Sequence, residues 1–144
     1  MNEWRLIDTG VRNAAENMAL DQAIFDARVE GIVPNTLRFM QFSPSAVLIG
    51  HHQTVAQEAR VDWCERNGVD INRRLTGGGA IYFDPTQIGW EVVASVEDFA
   101  GFDMTGLTRV ICEAAAAGLD KLGVTAEFRP RNDIEVNGRK ISGA

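Results

Sequence analysis

The sequence is poor in the residues that mark several common classes of protein. Its only cysteines, Cys64 and Cys112, lie far apart in helix-like apolar stretches, which predicts two buried thiols and neither a zinc site nor a disulfide framework. No apolar run approaches the ~20 residues of a membrane span, and no signal-peptide core follows Met1, so we expect a cytoplasmic protein with no membrane partner. Basic residues number 14 against 20 acidic residues without forming a broad basic face, so no nucleic-acid partner is expected.

What remains is an ordinary globular composition, with 45% hydrophobic and 24% charged residues. The spacing of apolar residues predicts long helices at 13–29 and 105–122 and a short helix at 61–67. Runs rich in β-branched and aromatic residues predict strands at 4–7, 36–42, 46–49, 69–75, 80–83, 88–94 and 125–128. Because strands often follow strands directly, we predict an α+β fold with a mixed, largely antiparallel sheet flanked by helices.

The first candidate binding element is the run Arg73-Arg74-Leu75-Thr76-Gly77-Gly78-Gly79-Ala80-Ile81-Tyr82. Two guanidinium groups precede a strip of backbone without side chains, where a ligand can lie against bare N–H groups. The run fits neither the phosphate loop GxxxxGK[ST] nor a GxGxxG that opens a helix. The alternatives are a flexible glycine turn and a solvated strand end.

The second candidate element is the run from Asn132 to Gly143, which predicts a hairpin with strands at 133–136 and 139–142 joined by Asn137-Gly138. It carries Lys140, one of only two lysines in the chain. Successive strand residues point to opposite faces, so either Arg139 or Lys140 can face a cleft, although both can equally be surface cations. A fixed ammonium, arginines and bare amides together suit a negatively charged acyl-phosphate intermediate.

In this order the two elements closely resemble the motifs of lipoate–protein ligase A and its relatives, in the biotin/lipoate ligase superfamily. The segment Asn17-Met18-Ala19-Leu20-Asp21 and the stretch from Leu37 through Gly50 and Gln53 also match that family. The resemblance implies a biotin/lipoate ligase-like fold. It also implies an enzyme that activates lipoate or octanoate with ATP and Mg²⁺ to an acyl-adenylate, and then transfers the acyl group to a lysine of a lipoyl-accepting carrier domain.

The same resemblance assigns roles to individual residues. Lys140 would be catalytic, holding the carbonyl and phosphate oxygens as charge develops. Asp133 would bind the Mg²⁺ ion. The residues assigned to the substrate and the adenylate are Arg73, Arg74, Thr76, Gly77, Gly78, Gly79, Tyr82, Asn132 and Asp133.

The sequence also departs from the family pattern. Phe83 stands where the family usually has His. The family's domain continues beyond Ala144 with further strands and a helix, so we expect residues 1–144 to be one truncated portion of a catalytic domain, completed by more chain or by a second polypeptide.

Two alternatives to an ATP-dependent ligase remain. One is an octanoyltransferase of the same fold, which uses a cysteine nucleophile and no ATP. Its long-chain type carries that cysteine shortly before the lysine hairpin, whereas residues 127–133 contain none, which favours adenylation. The other is a non-catalytic lipoate- or nucleotide-binding subunit of a split ligase.

Overall fold

The computed structural model describes residues 3–143, which form two compact units, one ending at Ser95 and one beginning at Val96. The elements of the first unit are β1 (Trp4–Arg12), α1 (Ala14–Val29), β2 (Asn35–Phe42), β3 (Ala46–Ile49), α2 (Val55–Glu58), α3 (Val61–Arg66), β4 (Asp70–Arg73), β5 (Ile81–Phe83) and β6 (Gly89–Val93). Those of the second are a 3-10 helix (Val96–Phe99), α4 (Met104–Asp120), β7 (Glu127–Arg129), β8 (Asp133–Val136) and β9 (Arg139–Gly143).

The strands form three sheets of three strands each within the described residues. The first unit contains one sheet in the order β1-β2-β6 and another in the order β4-β3-β5. In each, the central strand is parallel to one neighbour and antiparallel to the other. The second unit contains the antiparallel sheet β7-β8-β9. The predicted α+β class and the mixed, largely antiparallel pairing are therefore confirmed, with the strands divided among three sheets.

Helix α1 begins where its sequence provides a complete capping box. Asn13 Oδ1 accepts a hydrogen bond from the Glu16 amide at 2.8 Å, and the Glu16 carboxylate accepts one from the Asn13 amide at 3.4 Å. Asp70, from β4, accepts a further bond from the Ala14 amide at 3.0 Å. The first turn of α1 is thereby fixed to the sheet that carries the glycine-rich run.

The core of the first unit lies under these elements and consists of Ala14, Met40, Phe42, Ala46 and Leu48. Phe83 packs against it, with its ring stacked on that of Phe42 at a centroid distance of 4.7 Å. Phe83 therefore contributes an apolar ring to the packing of this core.

In the second unit, Asp103 caps the start of α4, and its carboxylate accepts a hydrogen bond from the Gly106 amide at 2.7 Å. Cys112 and Ala116 on this helix and Ile134 on β8 are buried. The Asn137-Gly138 turn has positive φ at both residues, 51° and 72°, as the predicted hairpin requires. No helix among residues 3–143 has both the length and the apolar character needed to span a bilayer.

Candidate functional site

Two loops meet where the parallel strands β3 and β4 end. The strands pair in register from Ala46 with Asp70 to Ile49 with Arg73, so the segments that follow them leave from the same edge of the sheet. We call residues 50–53 the bracket loop and residues 74–80 the glycine loop. The His51 amide donates to the Thr76 carbonyl at 2.9 Å, and the Arg74 amide donates to the Ile49 carbonyl at 2.8 Å. The two loops therefore form one connected structure.

The two loops also pack tightly against each other at two glycines. A Cβ atom placed on Gly50 would lie 2.0 Å from the Gly78 carbonyl oxygen, a distance that no side chain can occupy. Gly78 itself has a φ of 92°, which favours glycine. The glycine at position 50 lies before the recognisable motif, and it determines how closely the glycine loop can pack.

Arg73 holds the bracket loop. Its Nη1 donates to the carbonyl oxygens of Gly50, His51 and Gln53 at 2.9, 3.0 and 2.7 Å. The Gln53 side-chain oxygen also accepts a hydrogen bond from the Gly50 amide at 2.8 Å. The Arg73 guanidinium, predicted to bind substrate, is thus bound to the chain's own backbone.

Arg74 holds the glycine loop in the same way. Its Nη2 donates to the carbonyls of Gly77 and Gly79 at 2.8 and 2.9 Å. Burial lowers the pKa of the Arg74 guanidinium, and its Nε is buried without a hydrogen-bond partner within residues 3–143. Two carbonyls of the loop are therefore turned towards one guanidinium.

The three glycine N–H groups of the glycine loop, unlike two of its carbonyls, have no partner in the described part of the chain. Gly77, Gly78 and Gly79 are exposed. Successive backbone N–H groups of this kind form a site for an anion or for a polarised carbonyl oxygen. Thr76 in the glycine loop and Tyr82 on β5 are also exposed, Tyr82 at 51%. The predicted site residues of the first unit thus lie in the glycine loop and on β4 and β5, the strands that flank it.

The predicted site residues of the second unit lie on and before β8 and β9. Lys140 Nζ lies 2.7 Å from Asp133 Oδ1, and their side chains are 56% and 28% exposed. Asn132 precedes Asp133, and its carbonyl oxygen lies 3.9 Å from the Cys112 sulfur. Asp133 Oδ1 therefore faces an ammonium group, which disfavours a cation on the same oxygen. No cluster of three or more His, Cys, Asp or Glu side chains suited to a metal occurs in residues 3–143.

Both thiols are buried, as predicted. Cys64 is 4% exposed and Cys112 is fully buried. Burial raises the pKa of the Cys112 thiol, and the nearby charge of Asp133 raises it further. A thiol that stays protonated is a poor nucleophile, because the thiolate is the reactive form.

The structure also contains a buried charge cluster that was not predicted from the sequence. Arg38 is fully buried on β2, and its guanidinium bonds to Asp21, to Glu91 at 3.0 Å and to Asn17 Oδ1 at 2.6 Å. Burial, together with the charge of Glu91, raises the pKa of Asp21 to about 7 against the opposing effect of Arg38. The period-2 pattern of β2 could have indicated that Arg38 is buried, because every second residue of the strand faces the core. These residues are Thr36, Arg38, Met40 and Phe42.

Comparisons with known proteins place this geometry in a family. The model of the lipoyl protein ligase A/B catalytic domain matches residues 13–144. The octanoyltransferase LipM of Halalkalibacterium halodurans is 33% identical over 97% of this chain and 51% of its own length. That of Kyrpidia tusciae is 38% identical over 89% of this chain and 47% of its own length. The chain therefore spans about half the length of these curated relatives.

Solved structures agree on the fold. The bipartite lipoate protein ligase of Thermoplasma acidophilum, studied with its E2 lipoyl domain, has a TM-score of 0.84 and 30% identity, covering 99% of this chain and 55% of that one. A lipoate–protein ligase A bound with ATP has a TM-score of 0.82 and 31% identity, covering 98% and 60%. The curated names favour the octanoyltransferase alternative over the ATP-dependent reading. On the family itself the comparisons agree, and the chain belongs to the lipoyl protein ligase A/B catalytic domain family.

Proposed function

We propose that this chain carries catalytic residues of an enzyme that attaches an octanoyl or lipoyl group to a lysine of a lipoyl carrier domain. The proposal depends on the glycine loop, where Arg74 binds the carbonyls of Gly77 and Gly79 while the three glycine amides have no acceptor within residues 3–143. Such amides stabilise the oxygen of an acyl carbonyl as it gains negative charge. In the second unit, the Lys140 ammonium is also of a type that stabilises developing negative charge.

Octanoyl transfer from a thioester donor is the first candidate reaction. It is supported by the names of the curated relatives, which are octanoyltransferases. In the overall reaction the amine of the acceptor lysine replaces the donor thiol on the acyl carbon, forming an amide and releasing the thiol. This reaction needs neither ATP nor Mg²⁺.

ATP-dependent lipoate ligation is the second candidate. Among residues 3–143, Cys64 and Cys112 are buried, so neither offers the accessible thiolate that an octanoyltransferase of the cysteine type needs. The carboxylate of lipoate would attack the α-phosphate of ATP and release pyrophosphate, and the acceptor lysine would then displace AMP. A ligase bound with ATP is among the similar structures. For this reaction the proposal includes a second polypeptide that completes the enzyme, as in a bipartite ligase.

One experiment separates these reactions. The protein is incubated with a lipoyl carrier domain and with either an octanoyl thioester or lipoate plus ATP and Mg²⁺, and the mass of the carrier is measured. A carrier with its acceptor lysine replaced by arginine is the control. Octanoylation without ATP supports transfer, whereas modification only with ATP supports ligation. A carrier unmodified under both conditions, also after addition of a partner polypeptide, would refute the proposal.

A further inference from the structure

The lysine of the hairpin is held by two neighbours whose roles the sequence did not indicate. We propose that Asp133 and Gly143 are positioning residues for the Lys140 ammonium, and that Asp133 is its carboxylate partner and not a metal ligand. The inference deepens the proposed function, on which it rests for the role of Lys140.

The ion pair depends on an irregularity in the β8–β9 ladder. Ile134 pairs with Ser142, but the next residue of β8, Glu135, pairs with Lys140, so the register skips Ile141. A bulge of this kind re-aims the side chains beside it. Lys140 therefore reaches diagonally to Asp133, at 2.7 Å, while its direct cross-strand neighbour Glu135 bonds to Arg129.

Gly143 provides the surface across which the lysine lies. A Cβ atom on this residue would be 2.9 Å from Lys140 Nζ, 3.0 Å from Lys140 Cε and 3.3 Å from Asp133 Oδ1. The Lys140 ammonium and the Asp133 carboxylate thus lie against the backbone of Gly143, where no side chain intervenes. Any side chain at position 143 would push the flexible lysine away at little cost to the fold.

Neither stability nor metal binding accounts for this arrangement. Both side chains are partly exposed, and ion pairs of this kind contribute little to folding. A divalent cation on Asp133 would lie beside the Lys140 ammonium and be repelled by it. Asp133 and Gly143 instead give the Lys140 ammonium a defined position.

The chain itself allows a direct test, because Lys121 and Lys140 are its only lysines. With ¹³C-labelled lysine, NMR resolves two side-chain signals, and a restrained lysine gives separate shifts for its two ε-methylene protons. We expect separate shifts for Lys140 and a single shift for exposed Lys121. Asp133→Asn and Gly143→Ala should each collapse the Lys140 pair, whereas the control Glu135→Gln, which also removes one negative charge from β8, should leave it unchanged.

Kinetics then connects the position of the lysine with acyl transfer. Asp133→Asn and Gly143→Ala should lower kcat on the order of tenfold or more with KM nearly unchanged, since misplacing a reacting group by about 1 Å is that costly. Glu135→Gln should match the wild type, and thermal unfolding should show all three variants folded.

Two results would overturn the inference. One is a Lys140 signal that is already averaged in the wild type or that survives both substitutions. The other is an Asp133→Asn variant whose only defect is a higher Mg²⁺ requirement, which would make Asp133 a metal ligand. If the NMR changes appear as expected but the wild type transfers no acyl group from either donor, the positioning is upheld and the proposed function fails.

Discussion

Replacing Gly50 with alanine should damage the site although no predicted ligand-binding residue is itself substituted. The added Cβ would lie 2.0 Å from the Gly78 carbonyl oxygen and 3.1 Å from its carbon, and both are backbone atoms that cannot rotate away. Cβ atoms essentially never lie closer than 3.0 Å to another heavy atom. The bracket loop and the glycine loop must therefore separate by over ~1 Å, against the bonds that Arg73 and Arg74 make to them.

The expected effect is larger on catalysis than on folding. Overpacking of this kind costs about 1–3 kcal/mol of unfolding free energy. A displacement of about 1 Å in a loop that contacts the acyl group can lower kcat on the order of a hundredfold. Gly118→Ala is the matched control, because it is inside α4 and, its neighbours and the helix backbone aside, no atom of residues 3–143 lies within 4 Å of its Cβ position. That change should add roughly 0.5–1 kcal/mol of stability and leave the rate unchanged.

Denaturant unfolding and acyl transfer to a carrier domain, measured on the same preparations, test both parts. A Gly50→Ala protein as stable and as fast as the wild type would show that the two glycines are not in tight contact. Loss of stability with full activity would show that the glycine loop does not position the acyl group.

Three further substitutions test the buried charge cluster, the hairpin lysine and the two thiols. Because the pKa of Asp21 is raised from 3.8 to about 7, its stabilising contribution is complete below about pH 4 and is lost as the pH rises through 7. The loss is at most about 4 kcal/mol, and unfolding of Asp21→Asn across this range should show a flatter profile. Lys140→Ala should lower kcat by about 10²–10³ while retaining the fold, and near-normal acyl transfer would exclude its role. Replacing Cys64 or Cys112 with alanine should spare activity, whereas an acyl-thioester trapped on either would contradict this.

Much of the architecture could be predicted from local patterns. The second long helix was expected at 105–122 and spans Met104–Asp120, and the hairpin follows from Asn137-Gly138. Strand β1 is longer than expected, because Gly10 at a φ of 66° continues it through a bulge that pairing with β2 stabilises. Helix α2 was missed, since four residues carry no periodicity and Thr54 makes no side-chain cap.

The candidate site could be predicted only in part. Its residues stand in recognisable motifs, but the partners of their side chains depend on tertiary contacts. Nothing near Arg73 in the sequence indicates that it binds carbonyls some twenty residues earlier. The pairing of Lys140 with Asp133 likewise depends on a register shift that local propensity does not encode.

Both arginine side chains bind backbone carbonyls, and this affects how the site can be studied. If the ligand meets main-chain N–H groups of Gly77 to Gly79, an alanine scan leaves every one of those donors in place. Scanning would then identify Arg73, Arg74 and Gly50, which hold the loops, and would report them as the binding residues. Only a change to the main chain itself, such as an ester in place of one glycine amide, removes a single donor and measures what that contact contributes.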